Sequence, residues 1–154
     1  MTGGWSYSDL FFMREALAEA RVAAEADEVP VGAVVVYGGD IIARAMNRSV
    51  SDCDPTAHAE VVALRAAAQV VGNHRIQGAT LYVTLEPCPM CVGAMTQARI
   101  ERLVFGAYDE KAGGLGGAID LTESPAFNHR FEINGGVLKE DCESLLQHFF
   151  EQRR

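Results

Sequence analysis

Four residues of this 154-residue chain have the types and the spacing of a catalytic metal site. His58 and Glu60 are separated by one alanine, and Cys88 and Cys91 follow in the run Pro87-Cys88-Pro89-Met90-Cys91. One imidazole and two thiols suit zinc, and three protein ligands leave the fourth position of the ion open. A carboxylate two residues from the imidazole is placed to exchange protons with water at that position. The spacing therefore predicts a catalytic zinc site in which Glu60 transfers protons.

Other interpretations of these residues account for fewer of them. A Cys-x-x-Cys pair alone could be a redox pair, but that interpretation needs a thioredoxin-like strand and has no use for His58 or Glu60. A closed structural zinc site would require a fourth Cys or His, where the sequence offers Glu60 instead. The combination of both fragments, with Pro87 directly before the first cysteine, favours catalytic zinc.

Length and composition predict a single globular domain over residues 1–154. Apolar residues make up 49% of the chain and charged residues 22%, and the formal net charge is −8. No apolar run reaches the roughly 18 residues of a membrane span, and Met1 to Trp5 lack the features of a secretion signal. Cys53 and Cys142 remain as a possible pair or as free thiols, and reduced thiols fit the expected cytoplasmic location.

The elements that must position the motif follow from the hydrophobic pattern. Apolar residues at steps of three and four predict a first helix from about Ser8, as its N-cap, to Ala26. Runs rich in β-branched residues predict strands at Gly32–Tyr37, Asp40–Ala45, Leu81–Leu85 and Arg102–Ala107. A last helix carries an apolar face typical of core or interface: Cys142, Leu145, Leu146, Phe149 and Phe150. This alternation predicts a three-layer α/β/α sandwich around a mixed sheet of about five strands.

Two further helices are expected to bring the ligands together. One is predicted from Pro55-Thr56 to Gly72, with His58 and Glu60 in its first turn, and the other begins at Pro87. The positive end of the second helix favours thiolates at its two cysteines. Two helix N-termini are thus predicted to converge on one metal ion.

The glycine-rich segment 113–117 has a different interpretation. It lacks the Lys-Ser/Thr of a phosphate-binding loop, so we interpret it as flexible backbone on the substrate side.

Taken together, these segments resemble the bacterial tRNA-specific adenosine deaminases, within the cytidine-deaminase-like zinc deaminases. The resemblance covers nearly the whole chain, and the zinc motif alone would not separate adenosine, cytidine and guanine deaminases. The segments that carry it are Glu28–Val34, Asp54–Glu60, Ala79–Cys88, Val104–Ala107, Asn128–Arg130 and the Phe149-Phe150 ending.

The resemblance implies hydrolytic deamination of adenosine to inosine at wobble position 34 of tRNA, with an arginine tRNA expected. It assigns one zinc ion per chain to His58, Cys88 and Cys91, and the proton transfers to Glu60. It also implies a set of substrate contacts: Pro30, Val31, Asn47, Ala59, Asp109, Lys111, Arg130, Phe149 and Arg153. The glycine loop departs from the family pattern at Gly117, where relatives commonly have serine.

The resemblance further implies a homodimer and an anticodon stem-loop as partner. The acidic total charge fits a deaminase of free guanine or cytosine better, and a non-catalytic zinc-binding subunit is a second alternative, against which Glu60 argues. Half of the −8 lies in residues 1–30, whereas Lys111, Arg130, Arg153 and Arg154 lie in segments that the resemblance places near the substrate. We therefore expect a local basic rim that contacts RNA phosphates.

Overall fold

The computed structural model describes residues 4–153. The helices and strands in chain order are α1 (Tyr7–Glu25), β1 (Gly32–Tyr37), β2 (Asp40–Met46), α2 (Ala59–Val71), β3 (Thr80–Leu85), α3 (Pro89–Ala98), β4 (Arg102–Ala107), β5 (Glu132–Gly135) and α4 (Lys139–Glu151).

The strands form one mixed sheet in the order β2-β1-β3-β4-β5. β1 pairs antiparallel with both β2 and β3, while β3, β4 and β5 run parallel. A parallel pair needs a crossover, and α3 supplies it between β3 and β4. The carboxyl ends of β3 and β4 therefore meet at one edge of the sheet. The predicted mixed five-stranded α/β sheet is confirmed.

Each face of the sheet packs against its own pair of helices. Val34, Tyr82 and Val104 lie in a core with residues of α1 and α4, including Leu10, Met13 and Cys142. The alternate strand residues Val35, Leu81 and Leu103 lie in a second core with residues of α2 and α3, including Ala63 and Met95. Because strand side chains alternate between the two faces of the sheet, a strand that is buried on both faces has a continuous apolar sequence. This arrangement is the predicted α/β/α sandwich.

Two glycines allow helices to approach the sheet closely. A Cβ atom at Gly32 would overlap the backbone of α1 at Ala16 and Ala20, and one at Gly106 would overlap the Cys142 side chain of α4. Both positions lack steric room for any larger residue, so the sequence sets how closely α1 and α4 pack.

Three predicted helix starts are wrong by two to four residues. Ser6, not Ser8, caps α1, because its Oγ accepts from the Asp9 amide at 3.0 Å. α2 begins at Ala59 rather than Pro55-Thr56, because the Asp54 carboxylate accepts hydrogen bonds from the backbone and hydroxyl of Thr56, which makes a local turn. α3 begins at Pro89 rather than Pro87.

Three smaller features complete the fold. The sequence predicted about five strands but located only four, and the structure shows the fifth as the short strand β5. Cys53 and Cys142 are free thiols, the first exposed and the second buried. Among residues 4–153, no helix is both long and apolar enough to cross a membrane.

Candidate active site

His58, Cys88 and Cys91 converge at the N-termini of α2 and α3. His58 and Cys88 are the N-cap residues of these helices, with extended backbones, and neither side chain makes a capping hydrogen bond. His58 was predicted inside the first turn of α2, whereas it lies directly before that turn. As N-caps, both side chains are available to point away from their helices and toward a shared ion.

The distances within this cluster fit a tetrahedral ion. Nδ1 of His58 lies 3.5 Å from Sγ of Cys88 and 3.6 Å from Sγ of Cys91, and the two sulfur atoms are 3.8 Å apart. Bonds of about 2.3 Å to sulfur and about 2.0 Å to nitrogen would give tetrahedral edges of about 3.8 and 3.5 Å. The three residues are therefore positioned to hold a metal ion, and their donor set suits zinc.

Mutual contacts within the cluster shift the pKa values of its three members in different directions, and only the shift of Cys88 favours the deprotonated form that binds a metal. The side-chain hydrogen bond from Cys91 lowers the pKa of Cys88 to about 4, against the opposing effect of burial and with further help from His58. The side-chain hydrogen bond with Cys88 raises the pKa of His58. A second side-chain hydrogen bond with Cys88, together with burial, raises the pKa of Cys91. A thiolate at a helix N-terminus is the form that binds a metal.

Glu60 is a buried carboxyl group beside this cluster. It lies in the first turn of α2, two residues after His58, and only 4% of its surface is exposed. Burial raises the pKa of Glu60 to about 7, opposed by a hydrogen bond from its own backbone amide and by His58. A carboxyl group that titrates near neutral pH can both accept and donate a proton, as general acid–base catalysis requires.

A pocket of about 210 Å³ opens in front of these residues. Its walls come from the segment before β1, the residue after β2, the N-terminus of α2, the carboxyl end of β3 and the loop after β4. The lining residues are Val29, Val31, Asn47, His58, Ala59, Glu60, Leu85, Glu86, Cys88, Asp109 and Ala112. The mix of apolar walls and a few polar groups is typical of a small-molecule binding site.

Comparison with known proteins agrees with this geometry. The chain matches the MafB19-like deaminase family over residues 7–154. It is 47% identical to the tRNA-specific adenosine deaminase of Bacillus subtilis over 146 residues, which cover 95% of this chain and 91% of the relative. The chain belongs to the family of tRNA-specific adenosine deaminases.

Solved structures place the fold in the same family of deaminases. A structure from studies of A-to-I editing by tRNA:A34 deaminases has a TM-score of 0.87 and 44% identity, covering 88% of this chain and 99% of that one. A guanine deaminase from Bacillus subtilis has a TM-score of 0.62 and 38% identity, covering 68% of this chain and 66% of that one. This deaminase therefore shares its fold with enzymes that act on different purines.

The structure brings part of the predicted substrate set into the deaminase pocket. Val31, Asn47, Ala59 and Asp109 line it. The Asn47 side chain is oriented by Ser49, whose hydroxyl donates a 2.9 Å hydrogen bond to Oδ1. With Oδ1 occupied, the Nδ2 group of Asn47 is the part left to donate to a base.

The other predicted contacts lie outside the pocket. Pro30 is buried between two lining residues, and Lys111 lines an adjoining groove. Arg130 donates to the backbone oxygen of Thr122. Phe149 is buried, and the Arg153 guanidinium lies 3.6 Å from the centre of its ring.

The adjoining groove is larger, about 990 Å³, and is continuous with the pocket through four shared residues, Val29, Leu85, Asp109 and Ala112. Its outer part carries two exposed rings, Tyr108 and Phe150, and two lysines, Lys111 and Lys139. Acidic residues Glu110 and Glu143 also line it. The groove is thus amphipathic and of mixed charge rather than strongly basic.

Sequence reasoning missed four lining residues of the pocket: Val29, Leu85, Glu86 and Ala112. Val29 and Leu85 are apolar residues beside or at the end of a strand, and nothing in the sequence distinguishes them from core residues. Glu86 had one available signal, its place directly before the Pro-Cys of the metal motif. The glycine segment 113–117 was interpreted as flexible, but its amides at Leu115 and Gly117 donate to the Glu86 carboxylate, so it is fixed.

Proposed function

We propose that this chain converts adenosine to inosine at wobble position 34 of tRNA by hydrolysis, with an arginine tRNA as substrate. The observation that carries the proposal is the placement of buried Glu60 beside the His58, Cys88 and Cys91 cluster in a pocket the size of one base. The 47% identity to a tRNA-specific adenosine deaminase supports the choice of substrate.

In this proposal, His58, Cys88 and Cys91 hold one zinc ion per chain. A zinc ion bound there would supply activation of a water molecule at neutral pH. Hydrolysis forms a C–O bond at C6 of adenine and breaks the bond from C6 to the amino nitrogen, releasing ammonia. Glu60 accepts one proton of the attacking water and delivers it to ring N1. Glu60 then takes the remaining proton from the new C6 hydroxyl and delivers it to the departing amino group, so that inosine and ammonia form.

The pocket walls orient the base for this reaction. Val31 and Ala59 contribute apolar surface against the ring, and Asn47 contributes its amide donors. Asp109, which lines both the pocket and the groove, would contact the sugar of the bound nucleotide. Pro30 fixes the backbone between the two lining residues Val29 and Val31.

The groove supports a polymer as substrate rather than a free base. A free base fits a pocket of about 210 Å³, whereas the continuous groove of about 990 Å³ offers room for neighbouring nucleotides. Proteins recognise unpaired loop bases by binding them in pockets and by stacking on them. Binding of an anticodon loop therefore needs fewer phosphate contacts than binding of a duplex. Lys111, Arg130, Phe149 and Arg153 stay predictions as further RNA contacts, and Arg154 lies outside the described residues.

Deamination of a free purine base is the second candidate. It is favoured by the similarity to the guanine deaminase fold and by the net charge of −8, which suits a substrate without phosphates. A guanine deaminase acts on an amino group at C2 instead of C6. The pocket would then have to hold the purine in a different orientation against Asn47.

The proposal also includes the number of domains, the oligomeric state and the location of the protein. The chain acts as one domain. It forms a homodimer, for which Val70 of α2, 63% exposed, is a candidate contact. Its location in the cytoplasm is a prediction that rests on the proposed tRNA substrate. Sedimentation at micromolar concentration tests the dimer, and a monomer mass would contradict it.

One experiment separates the two activities. The purified protein is incubated with total tRNA, which is sequenced for inosine, and in parallel with adenosine, cytidine, guanine and cytosine. We expect inosine at position 34 of an arginine tRNA, no turnover of the free compounds, and no inosine with Glu60→Ala. Rapid ammonia release from guanine without inosine in tRNA would instead support the base deaminase.

A further inference from the structure

Glu86 is a buried carboxylate with no part in the chemistry described above. It follows β3 directly, lies two residues before Cys88, and has 2% of its surface exposed. Oε1 accepts a hydrogen bond from the Asp109 amide at 3.1 Å, and Oε2 accepts from Leu115 at 3.0 Å and Gly117 at 2.9 Å. Three backbone amides of the loop after β4 thus bind a single side chain from the segment after β3.

The loop is shaped to surround this carboxylate. A Cβ atom at Gly113 would overlap the Glu86 carboxylate and the backbone oxygen of Asp109, and one at Gly117 would overlap the same oxygen. The Gly114 amide donates to the backbone oxygen of Pro87 at 2.8 Å. The segment from Asp109 to Gly117, which we call the wall loop, therefore packs directly on the residues that lead into Cys88.

The wall loop forms one side of the substrate pocket. Asp109 and Ala112 line both the pocket and the groove. The Asp109 carboxylate accepts hydrogen bonds from the amides of Lys111 and Ala112, at 3.0 and 3.1 Å, which makes a tight turn at the pocket rim. The wall loop is joined to the metal-binding segment by the three bonds to Glu86 and by the bond from Gly114 to Pro87.

We propose that Glu86 is a positioning residue that sets the substrate wall of the active site. Its carboxylate draws the wall loop against the metal-binding segment and so fixes Asp109 and Ala112 opposite His58 and Glu60. Glu86 acts on substrate binding through the loop and does not touch the reacting atoms. This proposal rests on the function proposed above.

The position of the carboxylate distinguishes this role from general stabilisation. Glu86 contacts three amides of the wall loop, whereas the ligands His58 and Cys91 are placed by α2 and α3. Loss of its negative charge should therefore loosen the wall while the metal cluster and the sheet remain. A wall that contacts the substrate equally in the ground state and the transition state changes KM and leaves kcat nearly constant.

The test compares four variants of the zinc-loaded protein: Glu86→Gln, Gly113→Ala, Glu86→Asp and the control Glu101→Gln. In Glu86→Gln, whichever way the amide is turned, its NH₂ group faces at least one N–H donor of the loop. Gly113→Ala perturbs the same contact from the loop side by steric overlap. Glu101→Gln is the matched control, because it makes the same chemical change at an exposed position before β4.

For Glu86→Gln and Gly113→Ala we expect a KM for an anticodon stem-loop about tenfold higher, as the loss of charge-assisted hydrogen bonds allows, with kcat within about twofold. Zinc content should stay at the wild-type value. Hydrogen exchange at the amides of Asp109, Leu115 and Gly117 should become faster in both variants and stay unchanged in Glu101→Gln. Glu86→Asp, which keeps the charge, should restore part of the lost affinity.

Three results would overturn the proposal: unchanged exchange at these amides, a fall in kcat at constant KM, or loss of zinc from Glu86→Gln. Each would assign Glu86 to another role or to none. Hydrogen exchange requires no substrate, so failure of the proposed tRNA activity would be seen separately, as a wild-type protein that forms no inosine.

Discussion

The guanidinium group of Arg102 donates two hydrogen bonds to the Asp9 carboxylate, 2.8 and 2.9 Å long. The Tyr82 hydroxyl donates a third, at 2.6 Å, to the same carboxylate. These contacts join the first turn of α1 to β3 and β4 in the centre of the sheet. Asp9 is buried, so the contacts compensate the cost of removing its charge from water.

We expect Asp9→Asn to lower the free energy of unfolding by about 2–3 kcal/mol at neutral pH, because Arg102 loses a partly buried anionic partner. Urea unfolding followed by circular dichroism measures the change. Asp40→Asn, at an exposed position where β2 begins, is the control and should change stability by less than about 0.5 kcal/mol. Equal effects of the two substitutions would contradict the assigned role of the Asp9 contacts.

The same contacts predict a pH dependence. The hydrogen bonds from Arg102 lower the pKa of Asp9 below its ordinary value of 3.8, although burial acts in the opposite direction. A carboxyl group with a lowered pKa in the folded state stabilises the protein above its unfolded pKa and loses that contribution as the pH falls through the folded pKa. The stability difference between wild type and Asp9→Asn should therefore be constant above about pH 5 and shrink toward pH 2.

Glu60→Gln should retain zinc and lose activity by at least about 10³-fold, because it removes the proton transfer and leaves the three ligands in place. Metal analysis and inosine formation on the same preparation measure both properties. The contrast is Glu101→Gln, which should keep both. Substantial activity in Glu60→Gln would remove this residue from the mechanism.

Cys91→Ser should reduce bound zinc strongly, since the remaining two ligands cannot hold the ion at high affinity. Cys53→Ser is the matched control, because Cys53 is an exposed free thiol away from the cluster, and its zinc content should be that of wild type. Removal of zinc by a chelator should lower the melting temperature of wild type and leave that of Cys91→Ser nearly unchanged, as a ligand that binds only the folded state stabilises it.

Arg153→Glu should raise the KM for tRNA and reduce the slope of log affinity against log salt by about 0.7, if this residue contacts one phosphate of a single-stranded loop. In the free protein Arg153 donates a 2.5 Å hydrogen bond to Asp27. Asp27→Ala therefore separates two explanations: it should leave KM unchanged or lower it when Arg153 binds phosphate. The same rise in KM in Asp27→Ala would instead assign the effect to the internal ion pair. Arg75→Glu, an exposed residue, is the charge-matched control.

The chemistry of this site could be predicted from the sequence because it depends on residue types at short spacing. His58, Glu60, Cys88 and Cys91 form a pattern in which residue type and spacing alone predict metal ligands and a proton carrier, and the structure brings His58, Cys88 and Cys91 together in one cluster. The strand runs and the glycine that ends α2 at Gly72 are equally local signals, since burial and backbone conformation select those residue types.

Only the tertiary structure decided which other residues share the site. Glu86 and the wall loop are separated by more than twenty residues, and nothing in either segment indicates that three amides of one bind the carboxylate of the other. Asp27 and Arg153 are 126 residues apart in sequence, and Phe149, which we predicted as an RNA contact, is buried beneath Arg153. Such pairings depend on strand order and on how closely α1 and α4 pack on the sheet. These are long-range properties of the fold, because they are set by the joint burial of distant apolar surfaces and not by any local pattern.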